Sequence, residues 1–147
     1  MKAERGFTLV ETMVALVITG FIVTVLGLSV QQIVTVPAQG NAHIDALHAV
    51  QSAAHWVSLD GQAAKSAIGG SSLNVTLPDS SNVTYTLSGG KLNRTSKGVS
   101  RTVAENISGV NFIVAGRIIT MNIAAAPVSR WAISENRTYQ IYMRPTG

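Results

Sequence analysis

Residues 7–36 read FTLVETMVALVITGFIVTVLGLSVQQIVTV, and this stretch holds one ionisable side chain, Glu11. Residues 13–30 give 18 consecutive positions without a charge. At about 1.5 Å per residue that is roughly 27 Å of helix, enough to cross the hydrocarbon core of a bilayer. Lys2 and Arg5 precede the apolar run, and no basic residue comes after it until Lys65. The positive-inside rule then predicts residues 1–6 on the cytoplasmic side and everything beyond the helix outside.

Outside this segment the composition changes. The chain of 147 residues is 46% hydrophobic and only 12% charged, where a soluble domain has about a quarter of its residues charged. The apolar excess sits in residues 7–36, while residues 37–147 are rich in Ser, Thr, Asn and Gly. Two different objects are joined in one chain. The net charge is +4, and without residues 1–6 it is +3, from 9 basic against 6 acidic side chains. That excess is too mild to argue for an anionic partner. Without cysteine there is no disulfide, no thiol chemistry and no thiolate metal site.

Two simple readings of the N-terminus fall short. A cleaved secretory signal has a shorter apolar core and then a small-residue cleavage site; no A-x-A motif comes after this run. A plain signal anchor explains the hydropathy but leaves Glu11, whose burial in a bilayer costs about 2–3 kcal/mol or more. The residues Gly6-Phe7-Thr8-Leu9-Val10-Glu11, within the stretch 4–30, resemble the processing signal of type IV prepilins and pseudopilins. The resemblance implies that a membrane prepilin peptidase cuts between Gly6 and Phe7. It implies that Phe7 becomes the N-methylated end and that Glu11 is the assembly glutamate. Phe7 and Glu11 lie at i and i+4, so a new α-ammonium and the carboxylate can pair within one helix or between neighbours. Either pairing reduces a desolvation cost that each charge would bear alone. Many pilins carry a proline about twenty residues into the mature chain; Leu28 stands near that place here, with Gly20 and Gly27 around it. These glycines either loosen the helix or allow close helix contact.

Beyond Pro37 and Gly40 a helical period resumes over residues 41–67. Leu47, Val50, Ala53, Ala54, Val57, Ala64 and Ile68 recur at three and four residues, with Gly61 on the same stripe. Gly69-Gly70 reads as the stop signal. His43, His48 and His55 lie on this stretch without the spacing or carboxylates of a metal site, and Trp56 reads as an anchor between helix and sheet. Whether the helix breaks at Pro37–Gly40 is left open by the sequence.

From Leu73 the period becomes two. Leu73, Val75 and Leu77, then Val83, Tyr85 and Leu87, alternate with Asn and Thr. Pro78-Asp79 reads as a turn and Gly89-Gly90 as a two-residue hairpin loop. Further strands are expected at 110–115, 118–124 and 137–143, with Gly116-Arg117 as a tight link and 126–136 as a longer loop around Trp131. The sum is an α+β fold: a membrane-spanning helix, then an amphipathic helix packed on an antiparallel sheet of about five or six strands. The expected divisions are a leader 1–6, a transmembrane and assembly helix 7–36, an amphipathic helix 37–70 and a β-sheet domain 71–147.

No catalytic constellation is present in the sequence. No histidine comes after His55, Asp79, Glu105 and Glu135 are scattered, and Walker, dinucleotide and G-x-S-x-G motifs are absent. No cofactor or metal is expected. Residues 139–147 lack the carboxylates of the calcium loop that major pseudopilins share, and many major pilins have a disulfide loop that a chain without cysteine cannot form. The resemblance therefore implies a minor (priming or tip) subunit of a type II secretion pseudopilus or type IV pilus. The implied partners are prepilin peptidase, other pilins or pseudopilins, an inner-membrane assembly platform and membrane lipid. The alternative is a filament-displayed binding module for DNA uptake or surface adhesion. Lys91, Arg94, Lys97 and Arg101 form a basic strip that can meet nucleic acid phosphates, but a strand edge guarded by charge is the better reading. Asn74, Asn82, Asn93, Asn106 and Asn136 each begin an N-x-S/T sequence, read as strand and turn composition rather than glycosylation.

Overall fold

The computed structural model describes residues 8–128 and 133–144, with backbone alone for 34–39. One helix, α1 (Leu9–Ala63), is followed by eight strands. The chain forms two compact units, Met1–Gly40 and Asn41–Gly147, and α1 contributes to both. The backbone is helical through residues 34–40. Pro37 therefore costs the hydrogen bond its missing N–H would have made to the Ile33 carbonyl without ending the helix.

In the first unit, Leu9–Ile33 is a 25-residue apolar span of mean hydropathy 2.5 with none of it buried. Its hydroxyls are turned inward on the backbone. Thr12, Thr19, Thr24 and Ser29 donate to the carbonyls of Leu9, Ala15, Gly20 and Val25 at 2.8–2.9 Å. In hydrocarbon no water can satisfy these groups, so this back-bonding removes most of the cost of carrying them.

In the second unit, α1 buries a stripe of small and branched residues. Ala46, Val50, Ala53 and Val57 are fully buried and Ala64 nearly so. Gly61 continues the stripe because a Cβ there would lie 2.8 Å from Ile141 Cγ2. The predicted stripe holds through Ala64, but Leu47 and Ala54 are only half-buried and Ile68 is exposed. The helix also stops earlier than the sequence pattern suggests. After Ala63 the Lys65 N–H donates to the Thr76 carbonyl at 2.8 Å, and Ser66–Ile68 joins the sheet as β1. Strand pairing wins over local helix propensity there.

The strands are antiparallel and form two sheets rather than one. The first has the order β1 (Ser66–Ile68), β2 (Ser72–Thr76), β3 (Asn82–Ser88), β4 (Lys91–Ser96), β5 (Val99–Ala104). The second is β6 (Ile107–Ala115), β7 (Ile118–Ala125), β8 (Glu135–Tyr142). Among the described residues there are eight strands against the expected five or six. The sequence hides β1 at the end of the helical pattern and β5 in a stretch, VSRTVA, whose first four residues are exposed at the sheet edge. Alternation decides which face is inside. Leu73, Val75, Val83, Tyr85 and Leu92 point inward from the first sheet, and Phe112, Ile119 and Met121 from the second. Gly89-Gly90 is the expected two-residue hairpin, with φ of 55° and 73°. Trp131 lies outside the described residues.

Gly69-Gly70 has a different job from the one its sequence suggests. It does not end the helix. Gly70 and Phe112 exchange backbone hydrogen bonds of 2.8 and 2.9 Å and form the bridge between the two sheets. A Cβ on Gly69 would stand 2.4 Å from the Phe112 carbonyl oxygen, which is backbone and cannot swing away. Gly69→Ala is expected to destabilise the second unit by about 2 kcal/mol or more. Gly109→Ala, with nothing within 4 Å of its Cβ, is the control and should change stability by no more than about 0.5 kcal/mol. Denaturant unfolding of the full chain in detergent compares the two. Equal effects would show that the bridge does not constrain Gly69.

Candidate functional site

The N-terminal candidates are placed by the first turn of α1. Thr8 stands immediately before the helix, and the Glu11 N–H donates to the Thr8 carbonyl at 3.0 Å and its Oγ1 at 3.3 Å. Thr8-Leu9-Val10-Glu11 thus has the spacing of a capping box, with the hydroxyl satisfying a backbone donor that the helix cannot. Glu11 is exposed and sits where the helix dipole favours a negative charge. Gly6 and Phe7 lie outside the described residues.

The structure reveals a second polar centre that the sequence pattern did not show. Asp60 lies on the buried stripe of α1, three residues after Val57, and is 8% exposed. Arg94 from β4 grips it in a two-pronged ion pair, Nε to Oδ2 at 2.6 Å and Nη2 to Oδ1 at 2.9 Å. The Tyr85 hydroxyl from β3 donates to Oδ2 as well. Trp56, half-buried one turn before Asp60, covers the guanidinium, with Arg94 Cζ 5.4 Å from the ring centroid. This cation–π contact shields the pair from water. Burial and the Asp60 hydrogen bond push the Tyr85 hydroxyl above its ordinary pKa. The Asp60 carboxylate does the same for Arg94. Every buried side-chain polar atom among the described residues has a partner. A lone carboxylate on an apolar stripe was the legible signal, because such an acid needs a cation on the facing strand.

This centre dissolves the basic strip. Arg94 points inward, Lys91 pairs with Glu105 at 2.9 Å and Lys97 lies 4.0 Å from Asp79. Arg94 is thereby withdrawn from the strip, while Arg101 stays exposed on β5. Asp79 is also committed locally, accepting from the Ser81 hydroxyl at 2.6 Å and its N–H at 3.0 Å, which hold its carboxyl below the usual value. His43, His48 and His55 are exposed, and no three His, Cys, Asp or Glu come together among the described residues. The hollow between α1 and β5, about 430 Å³ and open to solvent, is lined by Asp45, His48, Ser52 and Glu105 among others.

Residues 1–27 match the prokaryotic N-terminal methylation motif. A type IV prepilin or pseudopilin-type signal therefore stands at the N-terminus. No curated protein and no solved structure matches the chain. The motif covers Gly6, Phe7 and Glu11 together with most of the apolar span. It fits a single-pass, membrane-anchored, pilin-like chain, and it points to a structural subunit rather than an enzyme.

Asp60→Asn leaves Arg94 half-buried without a counter-charge and should destabilise the second unit by about 3 kcal/mol. Glu105→Gln breaks only an exposed pair and should cost less than about 1 kcal/mol. Chemical unfolding of the two variants checks this; similar midpoints would show that the Asp60 centre contributes no more than a surface ion pair.

Proposed function

We propose that the chain is a pilin-like subunit that prepilin peptidase processes between Gly6 and Phe7 and that is then drawn from the membrane into a pilus or pseudopilus. Phe7 is the N-methylated residue and Glu11 the assembly residue. The carrying observation is that the methylation motif covers residues 1–27 and overlaps a helical apolar span, Leu9–Ile33, with Glu11 in the first turn of its helix.

The chemistry follows from that arrangement. Cleavage exposes an α-ammonium next to the unburied span Leu9–Ile33, whose one ionisable side chain is Glu11. In hydrocarbon, the carboxylate and a neighbour's ammonium attract far more strongly than in water. Their pairing gives an axial register to subunits that are otherwise held by non-directional apolar contact. Lys2 and Arg5 support an inside N-terminus and an extracytoplasmic second unit. The assembly platform, peptidase and other pilins are the partners this path requires. The lack of cysteine supports a minor subunit over the principal one.

Glu11→Ala should still be cleaved and remain in the membrane, because the apolar span is intact, while its entry into filaments falls at least about tenfold, the effect of losing a contact of about 1.4 kcal/mol. Quantifying the chain in sheared filament fractions against whole membranes measures this. Wild-type incorporation of Glu11→Ala would refute the assembly role.

A further inference from the structure

Across β2 to β5, the face of the five-stranded sheet that points away from α1 carries mostly neutral polar side chains, with exposed Ile68 of β1 beside Asn74 at one edge. Asn74, Thr84, Thr95 and Ser100 stand in register across β2, β3, β4 and β5. Ser72, Thr86, Asn93 and Thr102 form a second row, two residues along. None of these eight is charged or apolar, although about 25–35% of an ordinary protein surface is Lys, Arg, Asp or Glu. Arg101 lies between Ser100 and Thr102, so strand alternation turns it to the opposite face. The charges that border the rows, Lys91 with Glu105 at one end and Lys97 with Asp79 at the other, are paired with each other.

The rows are also held in place. Thr84 donates to Asn74 Oδ1 at 2.8 Å, Thr102 to Asn93 Oδ1 at 2.9 Å, and Thr95 to Ser100 Oγ at 3.2 Å. Each Asn bond uses the amide oxygen and leaves the amide N–H groups to donate outward. The threonine oxygens keep lone pairs to accept. Neighbouring strands lie about 4.8 Å apart and same-face residues about 6.8 Å. The result is a fixed array of neutral donors and acceptors on the scale of the hydroxyls of a sugar chain.

We propose that this face binds a neutral polysaccharide. The charge pattern selects the partner. A nucleic acid or anionic lipid needs a field of cations, and Lys91, which shares this face with Asn93 and Thr95, is paired with Glu105. A protein interface is centred on aromatic or arginine anchors, and the rows have neither. A neutral polyol needs donors and acceptors interleaved without a net field, and its hydroxyls match both functions of each Asn, Thr and Ser. Preorganised side chains lose little entropy on binding. The proposal concerns the second unit alone and does not rest on filament assembly.

The test is sedimentation of the full chain, held in a zwitterionic detergent without a sugar headgroup, on crystalline cellulose, α-chitin and insoluble β-1,3-glucan. The chain should pellet with at least one of these, and equally well in low salt and at about 1 M, where exposed charge interactions are screened. The double variant Thr84→Lys/Asn93→Lys should lose at least about tenfold in binding, because its ammonium groups stand where the polymer's hydroxyls would pair. Gln51→Lys/Gln62→Lys, on exposed positions of α1, should bind as the wild type does. Should the first variant unfold, Thr84→Val/Thr95→Val removes two hydroxyls while keeping the β-branched shape. No pelleting with any polymer, binding abolished by salt, retention only on immobilised duplex DNA, or a folded face variant that binds like the wild type would each overturn the proposal.

Discussion

A single helix here has to satisfy two media, and that constraint arranges everything else. Over Leu9–Ile33 the helix is apolar on every side and buries nothing within its own chain. Only lipid tails or other apolar helices can cover such a surface at low cost. Over residues 41–63 the same helix has one narrow buried face of Ala, Val and Gly and one polar face. Side chains change from one regime to the other while the backbone stays helical. Within the first regime the hydroxyls of Thr12, Thr19, Thr24 and Ser29 are satisfied by backbone carbonyls of the same helix.

The small residues of the second regime let the sheets approach the helix closely, and that approach buries Asp60. A carboxylate in that place would be costly alone. The fold answers with two strands, β3 supplying Tyr85 and β4 supplying Arg94, and with Trp56 as a cover. This centre gives the helix–sheet contact a directionality that Ala and Val packing cannot, since apolar burial is roughly proportional to area and indifferent to register. It also turns Arg94 inward. The rows across β2 to β5 on the outer face are left with amides and hydroxyls.

Much of this could be read from residues alone, and the failures have physical causes. The apolar run, its flanking charges and Glu11 identify the N-terminal signal because a bilayer imposes a long, strict pattern. The inward alternation of β2 and β3 was legible because one face of each is buried. β5 was not, since an exposed edge strand has no reason to alternate. β1 was absorbed into the helix pattern because three residues cannot establish a period of their own. Arg94 looked like a surface cation because its partner, Asp60, lies far away in sequence on another element. The role of Gly69-Gly70 was misassigned for the same kind of reason. Its constraint is a close approach to Phe112 in another sheet, and local sequence gives no sign of that.

Whether the chain is handled as a prepilin can be read from intact-mass and N-terminal peptide analysis of protein isolated from membranes, with and without a co-expressed prepilin peptidase. With the peptidase, the chain should lack residues 1–6 and begin at Phe7 with one methyl group on its amine. Without it, the chain should keep Gly6 and the basic leader. A chain that stays uncleaved beside an active peptidase, or one cut beyond the apolar span, would contradict prepilin processing at Gly6-Phe7.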